Sequence, residues 1–108
     1  LIRALEPLTG VDLMRRRRGV EDSRKLLNGP GNLCQGVGVT LEDHGTDVVT
    51  SDRIWFDEGK PPARIFAGER IGISKSVEHP WRFFDHDSPF VSSHRRGWPL
   101  GEIELGLP

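Results

Sequence analysis

Residues 27–36 constrain the fold more than any other stretch of this sequence. The pair Asn28-Gly29 is typical of a helix end, whereas Pro30 is favoured at the first position of a new helix. The apolar residues that follow recur at helical spacing. The sequence therefore predicts two helices that meet at a sharp corner.

The start of the second helix has a property of its own. The backbone amides of Gly31 and Asn32 lie in its predicted first turn, where amides have no partner inside the helix and point outward. The positive end of the helix dipole lies behind them, and this arrangement suits a phosphate. Most helix starts bind nothing, so a plain helix-loop-helix corner remains the alternative.

Composition limits the class of protein. With 108 residues, 35% of them apolar, and 13 glycines and 8 prolines, the chain can form at most one domain of short elements joined by turns. A single cysteine excludes an internal disulfide and a zinc cluster of cysteines. No apolar run is long enough to span a membrane.

Basic charge is concentrated in one segment, although the net charge of the chain is only -1. A helix is predicted to begin near Thr9 or Asp12 and to end at Gly19, with four arginines in its last turn, where the dipole favours cations. Contact with phosphates is the alternative to a solvated helix end. The six basic residues are Arg15, Arg16, Arg17, Arg18, Arg24 and Lys25.

Residues 1–5 have the pattern of a buried strand, which Pro7 would end. Leu1 is inside this strand and is not a methionine, so we expect the protein to begin upstream. Arg3 shares a face with Leu1 and Leu5 by the period of two. A guanidinium on an apolar face needs a partner, so Arg3 either forms a structural ion pair or belongs to a site.

Asp22 or Ser23 can cap a second helix, in which Leu26 and Leu27 face the core. A third helix from Pro30 to about Gly36 or Gly38 and a turn-rich connection at residues 41–47 follow, and the pattern then changes to short strands. We expect a strand at residues 53–56, a hairpin between residues 65–66 and 71–73, and a last strand at residues 80–84. Residues 88–92 would form a turn and a short closing segment. The glycines and prolines after residue 92 predict a loosely ordered tail at residues 93–108.

Motifs for catalysis or metal binding are mostly missing. His44 lies beside Asp43 and Asp47 without a second histidine at ligand spacing, so we do not expect a metal there. Residues 85–87 read Asp-His-Asp, which would suit acid-base chemistry, but neighbouring side chains on a strand point to opposite faces. A surface turn is the simpler interpretation.

Several segments taken in order resemble the alkyladenine (3-methyladenine) DNA glycosylases. They are LIRALEP at residues 1–7, NGPGNLCQ at 28–35, RIGI at 70–73, WRFF at 81–84 and SPFVS at 88–92. The resemblance implies an α+β fold in which helices on the N-terminal side pack on a curved, mainly antiparallel sheet. Residues 1–92 would be the C-terminal portion of that single glycosylase domain.

The resemblance also implies a function: a monofunctional base-excision enzyme that needs no cofactor and no metal. Its partner would be double-stranded DNA, from which it flips an alkylated or deaminated purine before hydrolysing the N-glycosidic bond. We expect a monomer, in the cytoplasm with the nucleoid if the source is bacterial and in the nucleus if it is eukaryotic.

Individual residues match family positions. The resemblance assigns the Arg3 side chain and the main-chain carbonyl of Ile71 to the nucleophilic water, and it places the corner of Gly29, Pro30, Gly31 and Asn32 on the DNA backbone. Gly72 beside Ile71 would allow a close approach.

Two departures from the family pattern carry consequences. Asn32 stands where a lysine is usual, so one phosphate contact should be weaker. Asp87 replaces a glycine before Ser-Pro, which alters the expected turn. The general-base glutamate, the base-stacking aromatics and the tyrosine wedge belong to the first half of the family domain, so we expect the isolated 108 residues to have little or no activity.

Two other hypotheses about the function remain open. One is a non-catalytic module that binds the DNA backbone through the arginine run and the helix corner. The other is a structural fragment in which Arg3 pairs with Glu6 or another acid. A glutamate in a short motif with tyrosine and histidine upstream of Leu1 would favour the enzyme.

Overall fold

Two α-helices organise the first of two units in the computed structural model, Leu1–Lys60. The structure describes residues 1–72, 79–92 and 96–101. Helix α1 is Val11–Arg18 and helix α2 is Pro30–Val37, and each ends at a left-handed glycine, Gly19 or Gly38. The predicted ends at Gly19 and Gly38 are therefore confirmed, although Gly10 rather than Thr9 or Asp12 is the residue that precedes α1.

Two short 3-10 helices complete this unit. Ser23–Lys25 is capped by the carboxylate of Asp22, which accepts a hydrogen bond from Arg24 N at 3.0 Å. The second, Leu41–Asp43, begins with a capping box in which Thr40 and Asp43 satisfy each other's backbone amides. The predicted cap at residue 22 and the predicted turn near residue 43 are both confirmed. The second helix, predicted to end at Asn28-Gly29, is wrong in its length, because only the turn Ser23–Lys25 is helical and Asn28 instead forms a bridge with Ala4.

Leu26 and Leu27 form the buried core of the first unit, with 0% and 3% of their surfaces exposed. Gly36 lies against them: a methyl group added to Gly36 would come within 2.5 Å of Leu27 Cδ2 and 3.1 Å of the Leu26 carbonyl oxygen. The close approach of α2 to these leucines therefore depends on a glycine at position 36.

Two predicted strands of the first unit do not form. Residues 1–5 are exposed and make only one isolated bridge, between Ala4 and Asn28, so the prediction of a buried strand is wrong. Residues 53–56 form no strand, and residues 52–54 bend where the Ser51 hydroxyl accepts hydrogen bonds from the amides of Arg53 and Ile54 at 3.1 and 3.2 Å. Such a side-chain turn competes with strand pairing.

The second unit, Pro61–Pro108, contains an antiparallel sheet. Strand β1 (Ile65–Gly68) lies between β2 (Arg82–Asp85) and β3 (Trp98–Pro99). Its core is Ala67 and Phe84, which are 0% and 8% exposed. Helices in one unit and an antiparallel sheet in the other confirm the α+β class.

The strand partners differ from the sequence prediction. Residue 66 of β1 pairs with residue 84 of β2 on one side and with residue 99 on the other. The predicted hairpin between residues 65–66 and 71–73 is wrong in its described part, because Ile71 and Gly72 form a turn and Gly72 has a φ of 73°. Ile73 lies outside the described residues.

The segment after residue 92 contributes to the sheet. Trp98 pairs with Ala67, and Gly97 lies so close that an added methyl group would be 2.7 Å from the Ala67 carbonyl oxygen. Residues 93–95 and 102–108 lie outside the described part of the chain. A domain boundary at residue 92, with a loosely ordered tail after it, stays a prediction.

Candidate functional site

The first unit brings Arg3 and the predicted helix corner together. Gly29 N donates a hydrogen bond to the Arg3 carbonyl oxygen at 2.7 Å, and Leu5 N donates to the Leu27 carbonyl oxygen at 3.3 Å. These two bonds flank the bridge between Ala4 and Asn28. Two segments that are more than twenty residues apart in sequence therefore meet at one place on the surface.

The corner itself has an open helix start. Gly29 precedes α2 with a φ of 107°, and Pro30 occupies the beginning of the helix, as predicted. No side chain among the described residues caps this start. The amides of Gly31 and Asn32 therefore remain available, since first-turn amides have no acceptor within the helix.

The Asn32 side chain forms hydrogen bonds inside the corner. Its Nδ2 atom donates to the Asn28 carbonyl oxygen at 2.9 Å and lies 3.1 Å from Asn28 Oδ1. The same Asn28 pairs with Ala4. Asn32 thus connects the first turn of α2 to the segment that carries Arg3, an arrangement that the sequence did not indicate.

The Arg3 side chain is exposed, which contradicts its predicted place on a buried face. Within the described ranges its guanidinium makes no hydrogen bond or ion pair, so the predicted partner Glu6 does not hold it there. The guanidinium is therefore accessible to a ligand in this unit.

Ile71 belongs to the second unit and lies in the turn after β1. Its side chain is 48% exposed, and the left-handed Gly72 follows it. A residue with a side chain would be strained at that φ, so this turn depends on glycine. The role of the Ile71 carbonyl stays a prediction.

The arginine run, residues 15–18, also binds other parts of the first unit. Arg15 pairs with Asp12 at 3.0 Å and donates to the Glu21 carbonyl oxygen at 3.0 Å. Arg17 donates to the Gly36 carbonyl oxygen at 3.2 Å, so the last turn of α1 is fastened to the end of α2.

Arg18 makes the largest number of these contacts. It donates to the carbonyl oxygens of Leu26 and Lys25 at 3.1 and 3.2 Å, and to Gln35 Oε1 at 3.0 Å. Gln35 in turn donates to the Arg17 carbonyl oxygen at 3.0 Å. Neither a solvated helix end nor a phosphate site describes Arg15, Arg17 and Arg18, because their acceptors belong to the protein.

An ion cluster at residues 64, 86 and 87 was missed by sequence reasoning. The Arg64 guanidinium forms a salt bridge with Asp87, and its Nη2 atom lies 3.2 Å from His86 Nδ1. The hydrogen bond from Arg64 holds the pKa of the Asp87 carboxyl below its ordinary value, and Asp87 raises the pKa of Arg64. The His86 ring lies 4.0 Å from the Phe66 ring, measured between centroids.

This cluster depends on the pairing of β1 with β2. Ile65 pairs with Asp85, and this register places Arg64 beside residues 86 and 87. The predicted surface turn at residues 85–87 is observed, since His86 and Asp87 are in a turn. No local sequence signal identifies a partner twenty-three residues away.

The described residues contain no cluster of three or more side chains suited to a metal, His44 included. None of the helices in the described part has the length and hydropathy that a membrane span requires.

Comparison with known proteins identifies the family. A family model of methylpurine-DNA glycosylases matches residues 1–89. The chain belongs to this family. The suspected resemblance to alkyladenine DNA glycosylases is thereby confirmed.

Individual relatives agree with this family. A protein of Nitrosospira multiformis, assigned by name as a 3-methyladenine DNA glycosylase, is 47% identical over 94 residues, which cover 85% of this chain and 47% of the relative. Proteins with the same assigned name from Rhodopseudomonas palustris (strain BisB18) and Chlorobaculum tepidum are 50% and 38% identical, over 85% and 99% of this chain. These two alignments cover 46% and 52% of the relatives, so the chain spans about half the length of the curated relatives it matches.

Proposed function

We propose that this chain acts in base-excision DNA repair, as part of a monofunctional glycosylase that removes alkylated or deaminated purines of the 3-methyladenine and hypoxanthine type. Membership in the methylpurine-DNA glycosylase family supports this reaction class. The substrate would be a damaged purine flipped out of duplex DNA, because a stacked base cannot be reached by a protein site.

The hydrogen bond between Gly29 N and the Arg3 carbonyl oxygen, at 2.7 Å, carries the proposal. It joins the residue that we assign to the reaction with the corner that we assign to the DNA backbone. A phosphate held at the corner would thereby lie close to the exposed Arg3 side chain. Both contacts then serve one flipped nucleotide.

In the proposed reaction, a water oxygen forms a bond to the anomeric carbon of the sugar. The bond from that carbon to the purine nitrogen breaks, and the purine leaves with the bonding electron pair and takes up a proton. The family resemblance assigns the orientation of the water to the Arg3 guanidinium and to the Ile71 carbonyl oxygen. Its proton passes to a general-base glutamate, which the family resemblance places outside these 108 residues.

The helix corner of Gly29, Pro30, Gly31 and Asn32 would bind the DNA backbone. First-turn amides and the helix dipole supply the attraction for a phosphate oxygen. Asn32 adds no charge, and its side-chain amide is already bonded to Asn28 at 2.9 Å. The contact therefore depends on preorganised backbone groups rather than on a lysine.

Substitution of Arg3 tests this assignment. In the protein encoded by the complete gene, Arg3→Ala should slow hypoxanthine release from a duplex oligonucleotide about 10²-fold or more, as loss of a preorganised polar contact does. Binding of undamaged duplex should change little, because most of that affinity comes from phosphate contacts. The matched control is Arg24→Ala, another exposed arginine of the same unit. An unchanged excision rate in Arg3→Ala would favour a structural role.

The isolated chain should show little or no glycosylase activity. It contains no tyrosine, so the aromatic residues that the resemblance assigns to base stacking and wedging are not all present. Hypoxanthine release by the purified 108 residues should match a buffer control, while an intact relative releases the base under the same conditions. Release above the buffer rate would contradict this proposal.

A second candidate is a non-catalytic module that binds the DNA backbone. The exposed Arg3 and the open start of α2 favour it, since both suit phosphates and neither requires a general base. The complete coding sequence separates the two functions. A glutamate in a short upstream motif with tyrosine and histidine would favour the enzyme, and its absence would favour the binding module.

A further inference from the structure

Within the described residues, one arginine of the α1 run differs from its neighbours. Arg15, Arg17 and Arg18 each donate hydrogen bonds to acceptors of the protein, whereas Arg16 is exposed and donates to none of the described residues. Four adjacent residues of one type therefore divide into three that build the unit and one that remains available.

Helix geometry explains this division. Successive side chains are rotated by about 100° around a helix. Arg15 and Arg18 reach the segment that follows α1, through the Glu21 and Leu26 carbonyl oxygens, and Arg17 reaches α2 through Gly36. Arg16 lies about 100° from Arg15 and from Arg17 in this rotation, and it is exposed.

The charge around Arg16 is only partly compensated. Arg15 has a carboxylate partner, Asp12, but the acceptors of Arg17 and Arg18 are neutral carbonyl and amide oxygens. The negative end of the α1 dipole offsets about half an elementary charge. A positive potential remains at this helix end, and it would attract a polyanion.

One acidic residue opposes that potential. A shallow polar cleft is lined by Asp12, Arg15, Arg16, Gly19 and Glu21. The Asp12 carboxylate is occupied by Arg15, whereas Glu21 is exposed and its side chain makes no ion pair with a described residue. Glu21 should therefore weaken the binding of an anion at Arg16 without neutralising the whole helix end.

We propose that the Arg16 guanidinium binds a backbone phosphate of duplex DNA, as a contact additional to the α2 corner. The inference rests on the proposed DNA-repair function. The contact is independent of base sequence, because a backbone phosphate carries no sequence information. The arginines on either side hold α1 in place through protein acceptors, and Arg16 supplies the charge.

Salt dependence of binding tests this contact. Fluorescence anisotropy with two duplexes of unrelated sequence gives the Kd of the protein encoded by the complete gene across a series of salt concentrations. Arg16→Ala should weaken binding roughly two- to fivefold for both duplexes, as expected for an exposed ion pair. It should also lower the slope of log K against log salt by about 1. Glu21→Gln should strengthen binding.

Two control variants separate a local contact from general charge. Arg16→Lys keeps the charge and should keep the salt slope. Arg53→Gln removes one positive charge from an arginine that pairs with Asp43, and it should leave the slope unchanged. Circular dichroism of each variant establishes that it is folded as the wild-type chain is.

The outcomes distinguish the two proposals. If the wild-type protein binds duplex and Arg16→Ala changes neither the Kd nor the slope, the Arg16 contact is overturned and the repair function stands. An equal effect of Arg53→Gln would also overturn it, because total charge would then explain the loss. If the wild-type protein of the complete gene does not bind duplex at all, the Arg16 contact and the proposed DNA corner are both overturned.

Discussion

At the residue scale, the position of a side chain on its helix decides its role. Arg15 pairs with a carboxylate one helical turn earlier, whereas Arg17 and Arg18 bind carbonyl oxygens of the α2 end and of the preceding loop. The residue type is the same in each case. The acceptors differ because about 100° of rotation separates neighbours on a helix.

Gly36 offers a test of packing at a single residue. Gly36→Ala should destabilise the chain by about 1–3 kcal/mol, because the new methyl group would overlap Leu27 Cδ2 in a core that cannot expand freely. Gly31→Ala is the matched control in the same helix, where an added methyl group meets nothing within 4 Å. That control should be neutral or slightly stabilising. Urea unfolding measures both variants, and equal midpoints would contradict the packing at Gly36.

Asp87 provides a pH test. Its pKa is lowered from the ordinary value of 3.8 by the hydrogen bond from Arg64. The native state thus favours the charged carboxylate, so the pair stabilises the fold above pH 3.8, and this contribution is lost as the pH falls through the lowered pKa. The contribution is small and screened by salt because both side chains are exposed.

The corresponding measurement compares wild type with Asp87→Asn. The wild-type chain should be slightly more stable at pH 7, and the difference should shrink in acid and in high salt. Asp52→Asn, an exposed aspartate without a hydrogen bond to a described residue, is the control and should show no such difference. A difference in unfolding free energy between wild type and Asp87→Asn that grows as the pH falls would contradict the ion pair.

At the scale of elements, the helices are joined by polar contacts as much as by apolar ones. Val11 and Met14 of α1 are only partly buried, and no residue of this helix is fully buried. Side chains of α1 instead donate to carbonyl oxygens of α2 and of the loop before it. In the sheet, the close approach of Gly97 to Ala67 and Phe84 allows β3 to pair with β1.

Gln35 is the element-scale test, because it contacts α1 in both directions. Its Nε2 donates to the Arg17 carbonyl oxygen and its Oε1 accepts from Arg18 Nη1, each at 3.0 Å. Gln35→Ala should cost about 1 kcal/mol of stability, since exposed hydrogen bonds contribute modestly. Cys34→Ala, at the neighbouring exposed position, should cost less. Equal urea midpoints for the two variants would contradict the bridging role.

At the scale of the whole molecule, little apolar surface is buried. The buried hydrophobic residues of the described part are Leu26, Leu27, Ala67 and Phe84. Several large apolar side chains remain exposed, among them Leu1, Leu8, Leu41 and Val49 at 96, 79, 94 and 84%. Because burial of apolar surface drives folding, the isolated chain should be only weakly stable.

Urea unfolding followed by circular dichroism tests this expectation. The slope of the unfolding free energy against urea scales with the surface exposed on unfolding, and it should lie near or below about 1 kcal/mol/M, the lower end for small proteins. The midpoint should also be low. A steep transition at high urea concentration would show a larger core than the described residues contain.

Several features were determined by the sequence alone because their causes are local. Gly19, Pro30 and Gly38 bound the helices through backbone preferences that act within one turn, and Asp22 caps its turn in the same way. The open start of α2 was predictable for that reason. The family could also be identified, because short motifs in a fixed order can be recognised in the sequence without knowledge of their contacts.

Other features were decided only by the tertiary structure, because their partners are distant in the chain. Arg3 was predicted on a buried face, but residues 1–5 pair with residues 27–29 through two hydrogen bonds and remain exposed. The partner of β1 is β2 rather than residues 71–73, and Arg64 meets Asp87 only through that register. Sequence period shows which residues can share a face, whereas pairing and side-chain partners depend on how the segments pack.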